Sequence, residues 1–197
     1  MKEQDLILRT EDDRTFYDCK ISNDNLSADI ALVGLCPGYT QLSEILSSHD
    51  MESARHKASF KGSTKNIARM LRKIRIDKLL KIEIPDEYDF NSSKHFFTTS
   101  LVKYPGLKKG KGRSDDFNPL DYDFARECIE KMFLKEILKS KTEIIVIFGK
   151  KAQTAMQEHK IHGKSVEEII KKSGKEIIYL PHPSGSNNGG VARFLRE

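Results

Sequence analysis

The sequence predicts an α/β fold: three layers, α/β/α, around a central, mainly parallel sheet of four strands. Three observations carry the prediction. Four short apolar runs punctuate the chain without regular apolar–polar alternation, as strands covered on both faces do. Segments of helical character lie between them, which suits helical crossovers. Two of the runs end in loops rich in glycine and proline, at the position where open parallel sheets carry their ligands. The 197 residues suffice for one domain with a substantial core and are too few for two, so a single domain over residues 1–197 is expected.

The first run, Ile30 to Leu35, leads into Gly34-Leu35-Cys36-Pro37-Gly38-Tyr39. Two glycines and a proline there predict a tight loop with its backbone open to a ligand. From Ser63 to Arg75, Ile67, Met70, Leu71 and Ile74 recur at helical spacing among Lys and Arg, which predicts an amphipathic helix. The second strand is His95 to Thr99. Pro105 to Asn118 is the most loop-like stretch and carries Lys108, Lys109, Lys111 and Arg113; a solvated loop and a phosphate-contacting arm are equal readings of it. Asn118-Pro119 opens a helix that runs to Ser140, with proline in its first turn. The third strand, Glu143 to Phe148, stops at Gly149, and Lys150 to His159 turns back as a helix. Ser165-Val166-Glu167-Glu168 has the form of a capping box. The fourth strand, Glu176 to Leu180, enters Pro181-His182-Pro183-Ser184-Gly185-Ser186-Asn187-Asn188-Gly189-Gly190, in which two prolines hold a histidine in an extended conformation. A last helix is expected from near Gly190.

No apolar run approaches the ~20 residues of a membrane span, so no membrane partner is expected. The N-terminal residues carry no apolar stretch of the secretory type, and a cytoplasmic location is the expectation. Cys19, Cys36 and Cys128 form no CxxC pair, which argues against a zinc site or a disulfide framework. Neither a metal nor a cofactor is expected. A net charge of +5 favours a polyanionic partner if the excess lies on one face.

Taken together and in order, these segments resemble the uracil-DNA glycosylase superfamily. Gly34-Leu35-Cys36-Pro37-Gly38 is similar to its first signature loop and His182-Pro183-Ser184-Gly185 to its second. Phe60-Lys61-Gly62-Ser63 resembles the F-x-G segment ahead of a helix, Thr98 to Lys103 the T-N-V-V-K segment, and Ile147 to Ala152 the strand–Gly–x–x–Ala element. The likeness covers about residues 30 to 196.

The resemblance implies a DNA glycosylase that flips a deaminated or altered base out of DNA and hydrolyses its N-glycosidic bond, acting as a monomer. His182 would donate to the base carbonyl as charge grows on the departing base. Phe60 would stack on the base, with Tyr39 as a second aromatic candidate, and Gly34, Gly38 and Ser100 would line its pocket. Ser184, Gly185, Ser186 and Asn187 would grip phosphate, and Lys103, Lys108, Lys109, Lys111 and Arg113 would add attraction to single- or double-stranded DNA. Two positions depart from the pattern. Cys36 stands where active relatives carry the Asp, Glu or Asn that holds the attacking water, and Ser100 stands where many carry the asparagine that reads uracil. Two other classes therefore stay open: a non-cleaving binder of nucleic acid or a nucleobase, and a hydrolase using Cys36 as nucleophile. Asp50 and Glu52 are distant carboxylates that could have taken over the water.

Overall fold

The computed structural model describes residues 3–108 and 117–197. Its centre is a sheet of four strands, Ile30–Gly34 (β3), Phe96–Ser100 (β4), Ile144–Phe148 (β6) and Glu176–Leu180 (β9), in the order β4-β3-β6-β9. Every neighbouring pair is parallel, with Ile30 opposite both Phe96 and Ile144 and Ile145 opposite Ile177. β3 and β4 are buried along their whole length. That is why their sequences read as continuous apolar runs rather than alternating ones.

Helices cover both faces, as three layers require. On one face Ile129, Phe133 and Ile137 pack with Ala152, Ala155 and Met156 of helix Lys150–Glu158 (α7) and with Val166 and Ile170 of helix Val166–Lys172 (α8), over Ala31, Val33, Ile145 and Ile147. On the other, Ile67, Ala68, Met70 and Leu71 of helix Thr64–Lys73 (α3), Ile76 of helix Ile76–Leu80 (α4) and Val191 of helix Asn188–Arg196 (α9) lie over Ile30, Leu32, Val146 and Phe148. The spacing read along residues 63–75 is thus the buried stripe of α3. The capping box at Ser165 is formed: its hydroxyl accepts from Glu168 N–H and the Glu168 carboxylate accepts from Ser165 N–H.

Three features differ from the expectation. The helix anticipated from Asn118 begins later. Asn118 caps a single 3-10 turn, Pro119–Asp121, and Tyr122 is extended, so regular helix starts with Asp123–Cys128 (α5). It then passes through a π-helical turn, Ile129–Phe133, into Leu134–Lys139 (α6). A second, antiparallel sheet joins Ile7–Glu11 (β1), Arg14–Tyr17 (β2) and Gly106–Lys108 (β5), built of strands too short to show a period. Two helices, Tyr39–Ser47 (α1) and Met51–Lys57 (α2), follow β3 directly and pack Leu42 and Ile45 against Tyr17, Cys19 and Leu107 of that small sheet and its margin. A two-residue hairpin pair, Lys160–Ile161 (β7) with Lys164–Ser165 (β8), completes the order.

β3 sends one crossover to β4 on its left and receives β6 on its right, so the connectivity reverses beside β3. In parallel sheets the crevice beyond such a reversal is where ligands bind.

Candidate functional site

The carboxyl ends of all four strands open onto one cavity of about 290 Å³. Its wall includes Gly34 to Gly38 after β3, Thr99 and Ser100 at the end of β4, Phe148 at the end of β6, and His182 to Gly185 after β9. The loop Ser59 to Ser63 ahead of α3 closes the remaining side, with Thr40 and Gln41 from the first turn of α1. Six positions expected at the site, Gly34, Cys36, Gly38, Phe60, Ser100 and His182, converge there although they are spread over most of the chain.

Phe60 is held in an unusual way. Its φ is +58°, a left-handed conformation that costs a non-glycine residue roughly 1–2 kcal/mol. The ring is half-buried, meets Phe148 edge-to-face with centroids 5.5 Å apart, and lies across the end of β3, where a methyl group on Gly34 would stand 3.4 Å from Cε1 of Phe60 and 3.7 Å from Ser100 Oγ. The strained residue thus stands at the cavity wall. Asn91 supports the segment: its Nδ2 donates to the carbonyls of Lys57 at 3.0 Å and Ser59 at 2.9 Å, and its Oδ1 accepts from Thr98 Oγ1 at 2.6 Å. Strand β4 is thereby tied to the turn that presents Phe60.

His182 is exposed, and its ring is oriented from one side. Ser184 N–H donates to Nδ1 at 3.3 Å and Ser184 Oγ lies 2.9 Å from the same nitrogen. A backbone N–H can only donate, so Nδ1 is an acceptor and the neutral ring carries its hydrogen on Nε2. The loop is braced further. Asn187 Nδ2 donates to His182 O at 2.9 Å, and Asn66 of α3 donates to Pro183 O at 2.9 Å and to Asn188 Oδ1 at 3.2 Å. Asn66 thus joins the His182 loop to the helix that follows Phe60.

The residues expected to grip phosphate already have partners of their own in part. Ser184 Oγ is engaged by His182 and by Ser186 Oγ at 2.9 Å, while Gly185 and Ser186 are exposed. Lys150 and Lys151 flank a neighbouring hollow shared with His182, Ser184, Ser186 and Asn187, a cationic border to the loop.

Two expected roles need correction. Lys103 is 0% exposed, pairs with Glu136, donates to Thr99 Oγ1 and lies near the rings of Phe97 and Phe133. It is a buried structural cation and cannot reach DNA. Burial draws its ammonium below the ordinary lysine range, against the opposing pull of Glu136. Tyr39 packs with α1, α2 and the small antiparallel sheet instead of lining the cavity, because as the first residue of α1 its ring faces that cluster. Lys108, on β5, is partly exposed and pairs with Asp13 at 3.0 Å. Lys109, Lys111 and Arg113 lie outside the described residues.

Cys36 faces the cavity edge, but its thiol donates to Tyr104 O at 3.2 Å and Pro37 O at 3.3 Å. A hydrogen directed at main-chain carbonyls favours the neutral thiol, whereas a nucleophile needs the thiolate. Asp50 caps α2 by accepting from Ser53 N–H at 3.0 Å. Neither Asp50 nor Glu52 lines the cavity.

Gln41, Asn66 and Asn91 carry no motif and were not legible as site residues. Only Gln41 left a trace in the sequence, three positions beyond Gly38, where a side chain reaches back to a helix N-cap. Among the described helices none is long and apolar enough to cross a membrane.

Comparison with known proteins gives the family. The family model described as the uracil DNA glycosylase superfamily matches residues 23–194, which includes every strand end that borders the cavity. No curated protein matches the chain.

Proposed function

Since this chain belongs to the uracil DNA glycosylase superfamily, we propose that it is a DNA glycosylase for a deaminated or otherwise altered base, serving base-excision repair. The observation that carries the reading is the pairing of Phe60 and His182 across one cavity: a strained aromatic ring as platform and an imidazole whose Nδ1 is held by Ser184 and whose hydrogen is therefore on Nε2.

Taking a base out of the stack costs a few kcal/mol, offset here by stacking on Phe60 and by contacts to the cavity wall. As the C1′–N bond lengthens, negative charge grows on the base and a donor hydrogen bond from His182 strengthens. Ser184 holds that donor in register, so little reorganisation is left to the moment of reaction. Gly185, Ser186, Lys150 and Lys151 border the path of the flanking phosphates. Water is the co-substrate of this hydrolysis.

A second reading is favoured by one observation: among the described residues no carboxylate lines the cavity. The chain would then hold a base or nucleotide without cleaving it. An alkaline-cleavage assay on labelled single- and double-stranded oligonucleotides carrying uracil, hypoxanthine or xanthine separates the two. Strand scission that disappears in His182→Ala is expected. Binding without scission of any substrate at high protein concentration would replace the glycosylase by the binding protein.

A further inference from the structure

Hydrolysis requires a group that accepts a hydrogen bond from the attacking water and aims its oxygen at C1′. Cys36 does not meet this need, since sulfur is a weak acceptor and its hydrogen is turned to Tyr104 O and Pro37 O. Among the described residues of the cavity wall, the side-chain acceptors other than His182 are the hydroxyls of Thr40, Ser59, Ser63, Thr99, Ser100 and Ser184 and one carboxamide, that of Gln41. The carboxamide is the strongest acceptor of the set.

Its orientation is determined. Gly38 N–H donates to Gln41 Oε1 at 2.9 Å, and an N–H can face only the oxygen end of an amide. That oxygen therefore stands at the cavity loop, one lone pair engaged by Gly38 and the other available. The donor to the oxygen also limits rotation of the side chain, so the remaining lone pair keeps a set direction. Gln41 stands in the first turn of α1, directly after the loop that carries Cys36, and lines the cavity that Phe60 and His182 enter from other elements.

We propose that Gln41 Oε1 holds the hydrolytic water, in place of the acidic or amide side chain absent from position 36; this rests on the glycosylase reading above. The water oxygen forms the bond to C1′ as the C1′–N bond breaks, its electron pair leaves with the base under the donor bond from His182, and the water's proton ends on the released base. An amide oxygen orients the water and removes no proton. Such a site acts on bonds whose sugar carbon has developed positive charge before attack, and so on bases that leave readily once hydrogen-bonded.

The test uses the full chain in single-turnover cleavage of the uracil, hypoxanthine and xanthine oligonucleotides, with Gln41→Leu, Gln41→Glu and His182→Ala, and anisotropy measurements of binding to the same strands. Gln41→Leu should slow cleavage about 10²-fold with oligonucleotide affinity unchanged. Gln41→Glu keeps the oxygen that Gly38 requires and adds a base; its rate should recover and rise with pH through the carboxylate range, a limb that wild type lacks. Wild-type rates in Gln41→Leu beside an inactive His182→Ala would remove Gln41 and leave the glycosylase standing. Equal slowing of both Gln41 variants with an unaltered pH profile would reduce the residue to a helix cap. If wild type cuts none of the three, the glycosylase reading fails and the water site fails with it.

Discussion

Gly149 and His182 occupy one space: a methyl group on Gly149 would stand 3.1 Å from Cδ2 and 3.2 Å from Cβ of the histidine. The glycine's φ of +93° with ψ of 150° belongs to a region that only glycine enters cheaply. The end of β6 thus leaves the room in which the His182 ring is seated, and the glycine that ends the third strand serves the loop after the fourth.

Gly149→Ala should therefore act twice. It should lower stability by about 1–3 kcal/mol from backbone strain, read as a shift in the denaturation midpoint. At temperatures where the variant is folded, turnover should fall while oligonucleotide affinity holds, because the displaced group is the imidazole. Unchanged turnover would show that the ring is not seated against Gly149.

The conformation of Phe60 makes an unusual stability order. Replacing the ring by either alanine or glycine removes its contact with Phe148, but only glycine also removes the cost of φ +58°. Phe60→Gly should be more stable than Phe60→Ala by about 1 kcal/mol, the reverse of the order in ordinary strands and helices. Both should weaken binding of a flipped base, by about 1–3 kcal/mol if stacking is its main contact. Thermal melts and anisotropy on damaged oligonucleotides read the two effects separately.

Cys36→Ser keeps a hydrogen that can reach Tyr104 O and Pro37 O. Cleavage should continue at the wild-type rate, and alkylating reagents should act on it only by bulk. Abolished cleavage in Cys36→Ser would restore the nucleophilic thiol.

Lys103→Met should leave the salt dependence of DNA binding unaltered, whereas loss of a phosphate contact would reduce the slope of log K against log salt by about 0.9. The stability difference should carry a pH signature. Burial lowers the folded-state value of Lys103 below its unfolded one, so between the two the unfolded chain binds the extra proton and this group's contribution to stability rises with pH. Chemical denaturation of wild type and Lys103→Met across alkaline pH would show the rising limb in wild type alone.

The sequence by itself determined the layered α/β fold, the parallel sheet and the two signature loops. Those properties are local: a strand buried on both faces must be apolar throughout, a capped helix needs its hydroxyl and its carboxylate three residues apart, and a proline-bounded loop restricts its own backbone. What only the tertiary structure decided was direction and distance. Lys103 and Tyr39 have residue types suited to DNA and base contact, yet one points into the layer between β4 and α6 and the other into the cluster beneath α1. Asn91 and Asn66 became parts of the site because their amides reach carbonyls far away in the chain, at Ser59 and Pro183. Which way a side chain faces depends on what packs against the opposite side of its element, and that neighbour is set by the sheet order β4-β3-β6-β9, a property of the whole chain rather than of any segment.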